Sequence, residues 1–155
     1  MSILAAMRHV ETDDLAAMHV LSCDSDWRPL VESIDGVEVP KRRTIGKPKN
    51  AAIKLSPHAD VVAARALVVG VGVENAMAAA QLGIGPIWAL TDPWGIMAFP
   101  ALPFIRQLTV LGERNDDVDA YKIIRRRYRA AGIRISYILP KEGCKNATEQ
   151  LGASI

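Results

Sequence analysis

The second half of the chain alternates short apolar runs with helix-forming or loop stretches, and this constrains the fold more than any other feature. The runs are Leu67–Gly70 (LVVG), Pro86–Leu90 (PIWAL), Gln107–Leu111 (QLTVL) and Arg134–Leu139 (RISYIL). Runs this short and apolar suit strands buried on both faces. Glu74–Leu82 (ENAMAAAQL) is rich in helix formers and stops at Gly83, a natural C-cap. Thr91–Pro103 is punctuated by prolines and a glycine and reads as a loop with one turn. Asp116 or Asp117 caps a helix that runs to Ala131 and stops at Gly132. Strand, helix, strand, loop, strand, helix, strand predicts an α/β fold: a parallel four-stranded sheet with right-handed crossovers and flanking helices.

The first part reads differently. Met18–Ser22, Val37–Val39 and Ala51–Leu55 are strand-like, and Asp24, Asp26, Asp35-Gly36, Gly46 and Pro48 punctuate them as turn signals. Leu30, Val31 and Ile34 fit a strand or a short helical turn. An antiparallel meander is expected. The predicted division is a small β-rich subdomain over 1–63, ending in a basic stretch, and an α/β domain over 64–155.

A chain of 155 residues, half of them hydrophobic, can bury a core without disulfides. The net charge is only +2, so any nucleic-acid binding must come from a local patch. Cys23 and Cys144 stand apart from each other and from any histidine cluster, which argues against zinc and fits a reduced compartment. The N-terminus lacks the pattern of a signal peptide, and no apolar run approaches the roughly 20 residues of a membrane span. The expectation is a cytoplasmic protein with no membrane partner.

Sites in parallel sheets form outside the carboxyl ends of the strands. Four loops lie there: 70–75, 91–95, 112–117 and 140–146. In the first, Gly70-Val71-Gly72 allows a sharp turn, and Glu74 opens the helix, where the dipole favours an anion. This fits a phosphate or metal site, or simply a tight strand-to-helix turn. The third reads Gly112-Glu113-Arg114-Asn115-Asp116-Asp117. Carboxylates clustered at a strand end suit a hard cation such as Mg²⁺, although a helix N-terminus welcomes acids for dipole reasons alone.

The order of segments carries a resemblance. KNAAIKL (Lys49–Leu55), LVVGVGVENAMAA (Leu67–Ala79), PIWAL, FPALPFIRQLTVL (Phe99–Leu111), RRRYRAAG (Arg125–Gly132) and RISYILPKEG (Arg134–Gly143) follow one another. In that order and spacing, Lys47–Leu151 resembles the Toprim domain of phage- and plasmid-type DNA primases. Ile34-Asp35-Gly36 before the basic stretch is similar to what precedes Toprim in such proteins. The resemblance implies a Rossmann-like, Toprim-like parallel sheet, DNA replication in mobile genetic elements, and a nucleotidyltransferase site. Toprim enzymes use a Glu after the first strand as general acid or base, and Asp-x-Asp plus a further acid to hold Mg²⁺. In register, that Glu falls on Val71, with its following glycine kept as Gly72. The Asp-x-Asp falls on Glu113-Arg114-Asn115, and the late acid falls near Lys145, with Asn146 beside it. Three of four acidic positions are thus non-acidic, which points to an eroded metal site and a binding rather than catalytic module. Should shifted acids substitute, Glu74, Glu113 and Asp116 are the catalytic candidates, and Glu113, Asp116 and Asp117 the ligands of a weak Mg²⁺ site.

Two basic surfaces accompany this site. Lys41, Arg42, Arg43, Lys47 and Lys49, with Lys54 after them, form an exposed stretch that can track a phosphate backbone or merely discourage strand pairing at an edge. On the last helix, Lys122, Arg125, Arg126 and Arg129 share an arc of about 100°, beside a stripe of Tyr121, Ile124, Tyr128 and Ala131. Trp88 reads as core, and Trp94 could pack or stack a base. His9, His19 and His58 show no partner pattern.

Three functions are weighed. The first is a Toprim-like nucleic-acid-binding domain with single-stranded DNA as ligand and replication proteins as partners. The second is an active Mg²⁺-dependent primase or nuclease using the shifted acids. The third is a protein-interaction module on a Toprim scaffold, with Phe99–Phe104 (FPALPF) either as its contact surface or, the favoured reading, simply covering the sheet edge.

Overall fold

The computed structural model describes residues 1–113 and 118–152. The chain divides into two compact units, Met1–Ala51 and Ala52–Ile155.

In the first unit, β1 (Ser2–His9), β2 (Leu15–Ser22) and β5 (Arg42–Gly46) form an antiparallel arrangement with β2 between the other two. β3 (Val31–Ile34) and β4 (Val37–Pro40) make a separate hairpin. Its turn is Asp35-Gly36, with φ of 52° and 80°, and Ile34 pairs with Val37. Positive φ at both central residues is what a two-residue hairpin turn demands, and Asp-Gly supplies it at little cost. The turn signal was therefore legible, and Val31–Ile34 resolves as strand rather than helical turn. β1 was not anticipated. Its first three residues are exposed and only Met7 is buried, so the run shows no clean alternation.

The second unit holds β6 (Ala51–Lys54, starting at the boundary), α1 (His58–Ala64), β7 (Ala66–Val71), α2 (Val73–Gln81), β8 (Ile87–Leu90), α3 (Pro93–Ala98), β9 (Gln107–Leu111), α4 (Val118–Ala130), β10 (Arg134–Ile138) and α5 (Ala147–Gly152). Strands β8, β7, β9 and β10 lie side by side in that order, and every neighbouring pair is parallel. β6 adds an antiparallel strand beside β8. The sheet is thus mixed, with parallel strands and flanking helices. All four residues of β8 and the middle of β7 are buried, which explains their unbroken apolar runs.

Trp88, Leu67, Ile87, Leu102, Leu108, Ile124 and Tyr128 are among the fully buried side chains of this unit. α2 stops as expected. Gly83 takes φ of 81°, and Ile84 N–H donates to the Ala79 carbonyl across the helix end. Of the stripe assigned to α4, Ile124 and Tyr128 are buried and Tyr121 is half-buried, but Ala131 is exposed. It lies past the helix, where Gly132 at φ of 70° turns the chain toward β10.

Candidate functional site

The carboxyl edge of the parallel strands is built by four turns. β7 ends in Val71, and Gly72 at φ of 83° bends the chain into α2. Glu74 sits half-buried in the first turn of that helix. Leu111 lies opposite Gly70 in the neighbouring parallel strand, so Glu113, two residues on, belongs to the same edge of the sheet as Glu74. A Cβ at Gly70 would meet Leu111 side-chain carbons at 3.1 and 3.2 Å, so Leu111 would have to give by a few tenths of an ångström. Asp116 and Asp117 lie outside the described residues, as do Arg114 and Asn115. Among the described residues, no three His, Cys, Asp or Glu side chains are grouped to hold a metal ion.

Several polar groups at this edge hold the fold together. Asp92 is the N-cap of α3: its Oδ1 accepts from the Gly95 N–H at 2.9 Å, and Pro93 follows at the first helical position. Asn146 Oδ1 accepts from the Glu149 N–H at 3.0 Å, and Glu149 Oε2 accepts from the Lys145 N–H at 2.6 Å. These two bonds start α5. The sequence carried its signal, Asn146 followed three residues later by an acid, which sequence reasoning had not used.

Asn75 was also missed. It is 5% exposed, and its Oδ1 accepts from the Ala147 N–H at 2.9 Å while Nδ2 reaches the Val71 carbonyl at 3.5 Å. One buried amide thereby ties the turn after β7 to the first residue of α5. Its surroundings in sequence, an alanine-rich helix, gave no hint of a long-range partner.

The cations fall in two places. In the first unit, Lys41, Arg42, Arg43, Lys47 and Lys49 are all exposed, and Arg42 and Arg43 stand on edge strand β5. In the second, Lys122, Arg125, Arg126 and Arg129 are exposed on α4 and together line one open hollow. Arg127, outside that arc, has a different task. Its guanidinium donates to the carbonyls of Met97 at 2.7 Å and Phe99 at 2.8 Å. Beside it the buried Tyr128 hydroxyl donates to the Pro100 carbonyl. Burial pushes the Tyr128 phenol well above its ordinary value, and the Arg127 charge opposes this only in part.

These bonds also fasten the start of Phe99–Phe104 to α4. Phe99 and Leu102 are 3% and 0% exposed, and the segment's carbonyls are tied to α4. Of this segment, weighed as a contact surface or as a cover over the sheet edge, Phe99 and Leu102 are core, Pro100, Ala101 and Phe104 are half-buried, and Pro103 is exposed. Phe104 meets the His58 ring with centroids 4.8 Å apart. His58 also stacks on Trp88 at 5.9 Å, and the Lys54 ammonium lies 4.3 Å over the Trp88 ring. His58 and Lys54 thus pack around Trp88, which is fully buried as expected, while Trp94 is 73% exposed. Cys23 is buried and Cys144 half-buried.

No helix among the described residues is long and apolar enough to cross a membrane. Compared with known proteins, the chain matches no family model and no curated sequence.

Proposed function

We propose that the chain is a Toprim-like nucleic-acid-binding domain, related to the DNA primases of mobile elements, whose metal site has eroded. The observation that carries this reading is the exposed cationic face on α4, where Lys122, Arg125, Arg126 and Arg129 line one open hollow. Val71, at the position of the catalytic Glu, can neither transfer a proton nor bind a metal. Asp92 and Glu149 are occupied in helix starts. What remains suited to a polyanion is the cationic surface, which attracts phosphates without regard to sequence.

Fluorescence anisotropy of a labelled single-stranded DNA, over a salt series with and without Mg²⁺, tests the reading. Affinity that falls linearly in log salt and ignores Mg²⁺ is the expected result. Binding or turnover that requires Mg²⁺ would replace it with the active enzyme using Glu74, Glu113 and Asp116. No binding at low salt would remove both.

A further inference from the structure

We propose that a nucleic-acid strand lies along a cationic strip at the amino edge of the parallel sheet, the edge opposite Glu74 and Glu113. The strip continues onto α4. This rests on the nucleic-acid reading above and says which surface carries it.

Three arginines far apart in sequence are joined there by their backbones. The Arg65 carbonyl accepts from the Arg106 N–H at 2.7 Å, and the Arg106 carbonyl accepts from the Arg134 N–H at 2.9 Å. They stand just before β7, just before β9 and at the start of β10, three neighbouring strands, and all three are exposed. Strand spacing makes this row about 10 Å long. A hollow lined by Arg65, Arg106 and Gly132 adjoins one lined by Gly132, Arg134 and Arg129. Arg129 in turn borders the hollow it shares with Lys122, Arg125 and Arg126. The helix adds about 10 Å more from Arg129 to Lys122. Seven cations therefore follow a continuous path of about 20 Å that turns from the strand edge onto the helix, a length that several nucleotides of a flexible single strand cover.

Charge complementarity selects the occupant. No acid occurs between Asp60 and Glu74, between Asp92 and Glu113, or between Asp119 and Glu142, the three stretches that supply the strip. Arg65 adds a second observation. It closes α1 at φ of 50°, a left-handed conformation that glycine or asparagine adopts more easily. An arginine there is unfavourable for the fold and favourable for a polyanion.

The test is DNA anisotropy with the full chain carrying Arg65→Gly, Arg106→Gln and Arg134→Gln, beside Lys41→Gln/Arg43→Gln as a comparator. Glycine suits the Arg65 backbone and the other two side chains are exposed, so the melting temperature holds or rises. For single strands each lost phosphate contact removes about 0.7 from the log–log salt slope, so the triple variant loses about 2 from the slope and about 100-fold in affinity at 0.1 M salt. Wild-type binding that survives the triple change with its slope intact overturns the strip and leaves the nucleic-acid reading standing. Absence of wild-type DNA binding at low salt overturns both. Equal affinity for vesicles of anionic phospholipid overturns nucleic acid as the occupant.

Discussion

Tyr128→Phe is the sharpest test of how α4 is fastened. The ring is fully buried, so phenylalanine keeps the apolar contacts and removes only the hydroxyl that donates to the Pro100 carbonyl. Pro100 is half-buried, so water can replace part of that bond. The expected loss is therefore about 1 kcal/mol, the net worth of one hydrogen bond, against about 3–5 kcal/mol for Tyr128→Ala, which also empties the ring's volume. Alkaline pH adds a second signature. Burial holds the Tyr128 proton in the folded chain above the pH at which an unfolded tyrosine releases it, about 10. Above that point the unfolded state binds fewer protons, so stability falls as pH rises, by about 1.4 kcal/mol per unit. The stabilisation is fully present below pH 10 and absent from the phenylalanine variant, in which other titrating groups are unchanged. Urea unfolding followed by the fluorescence of buried Trp88 should show the variant weaker at pH 8 and level with the wild type near pH 11. A gap that stays constant between these pH values would refute the buried, bonded hydroxyl.

Two further outcomes probe the carboxyl edge. Asn75→Ala leaves the Ala147 N–H without its acceptor and should cost about 1–3 kcal/mol, read by urea unfolding. Asn75→Asp keeps the acceptor oxygen and should recover part of the loss. Asp92→Ala removes the cap of α3 and should cost about 1 kcal/mol, with Asp92→Ser recovering most of it in thermal melts.

Where residues constrain their own backbone, the sequence alone was sufficient. Apolar runs too short for helices became β7 to β10, Asp35-Gly36 became a hairpin turn, and Gly83 and Gly132 ended helices. Each is a local preference that acts over a few residues. The arc of Lys122, Arg125, Arg126 and Arg129 was legible for the same reason, since helical periodicity is fixed by the backbone. The strands' parallel order, β8, β7, β9, β10, was decided by tertiary packing, because burial on both faces fixes that a strand is internal and not which neighbour it takes. Helices α1 and α5 escaped notice because seven and six residues are too few to show a helical period. Tertiary structure alone brought Asn75 to Ala147, Arg127 and Tyr128 to the carbonyls at residues 97–100, and Arg65, Arg106 and Arg134 into one row. Such contacts join residues tens of positions apart, and only the closing of the sheet brings them within a few ångströms of each other.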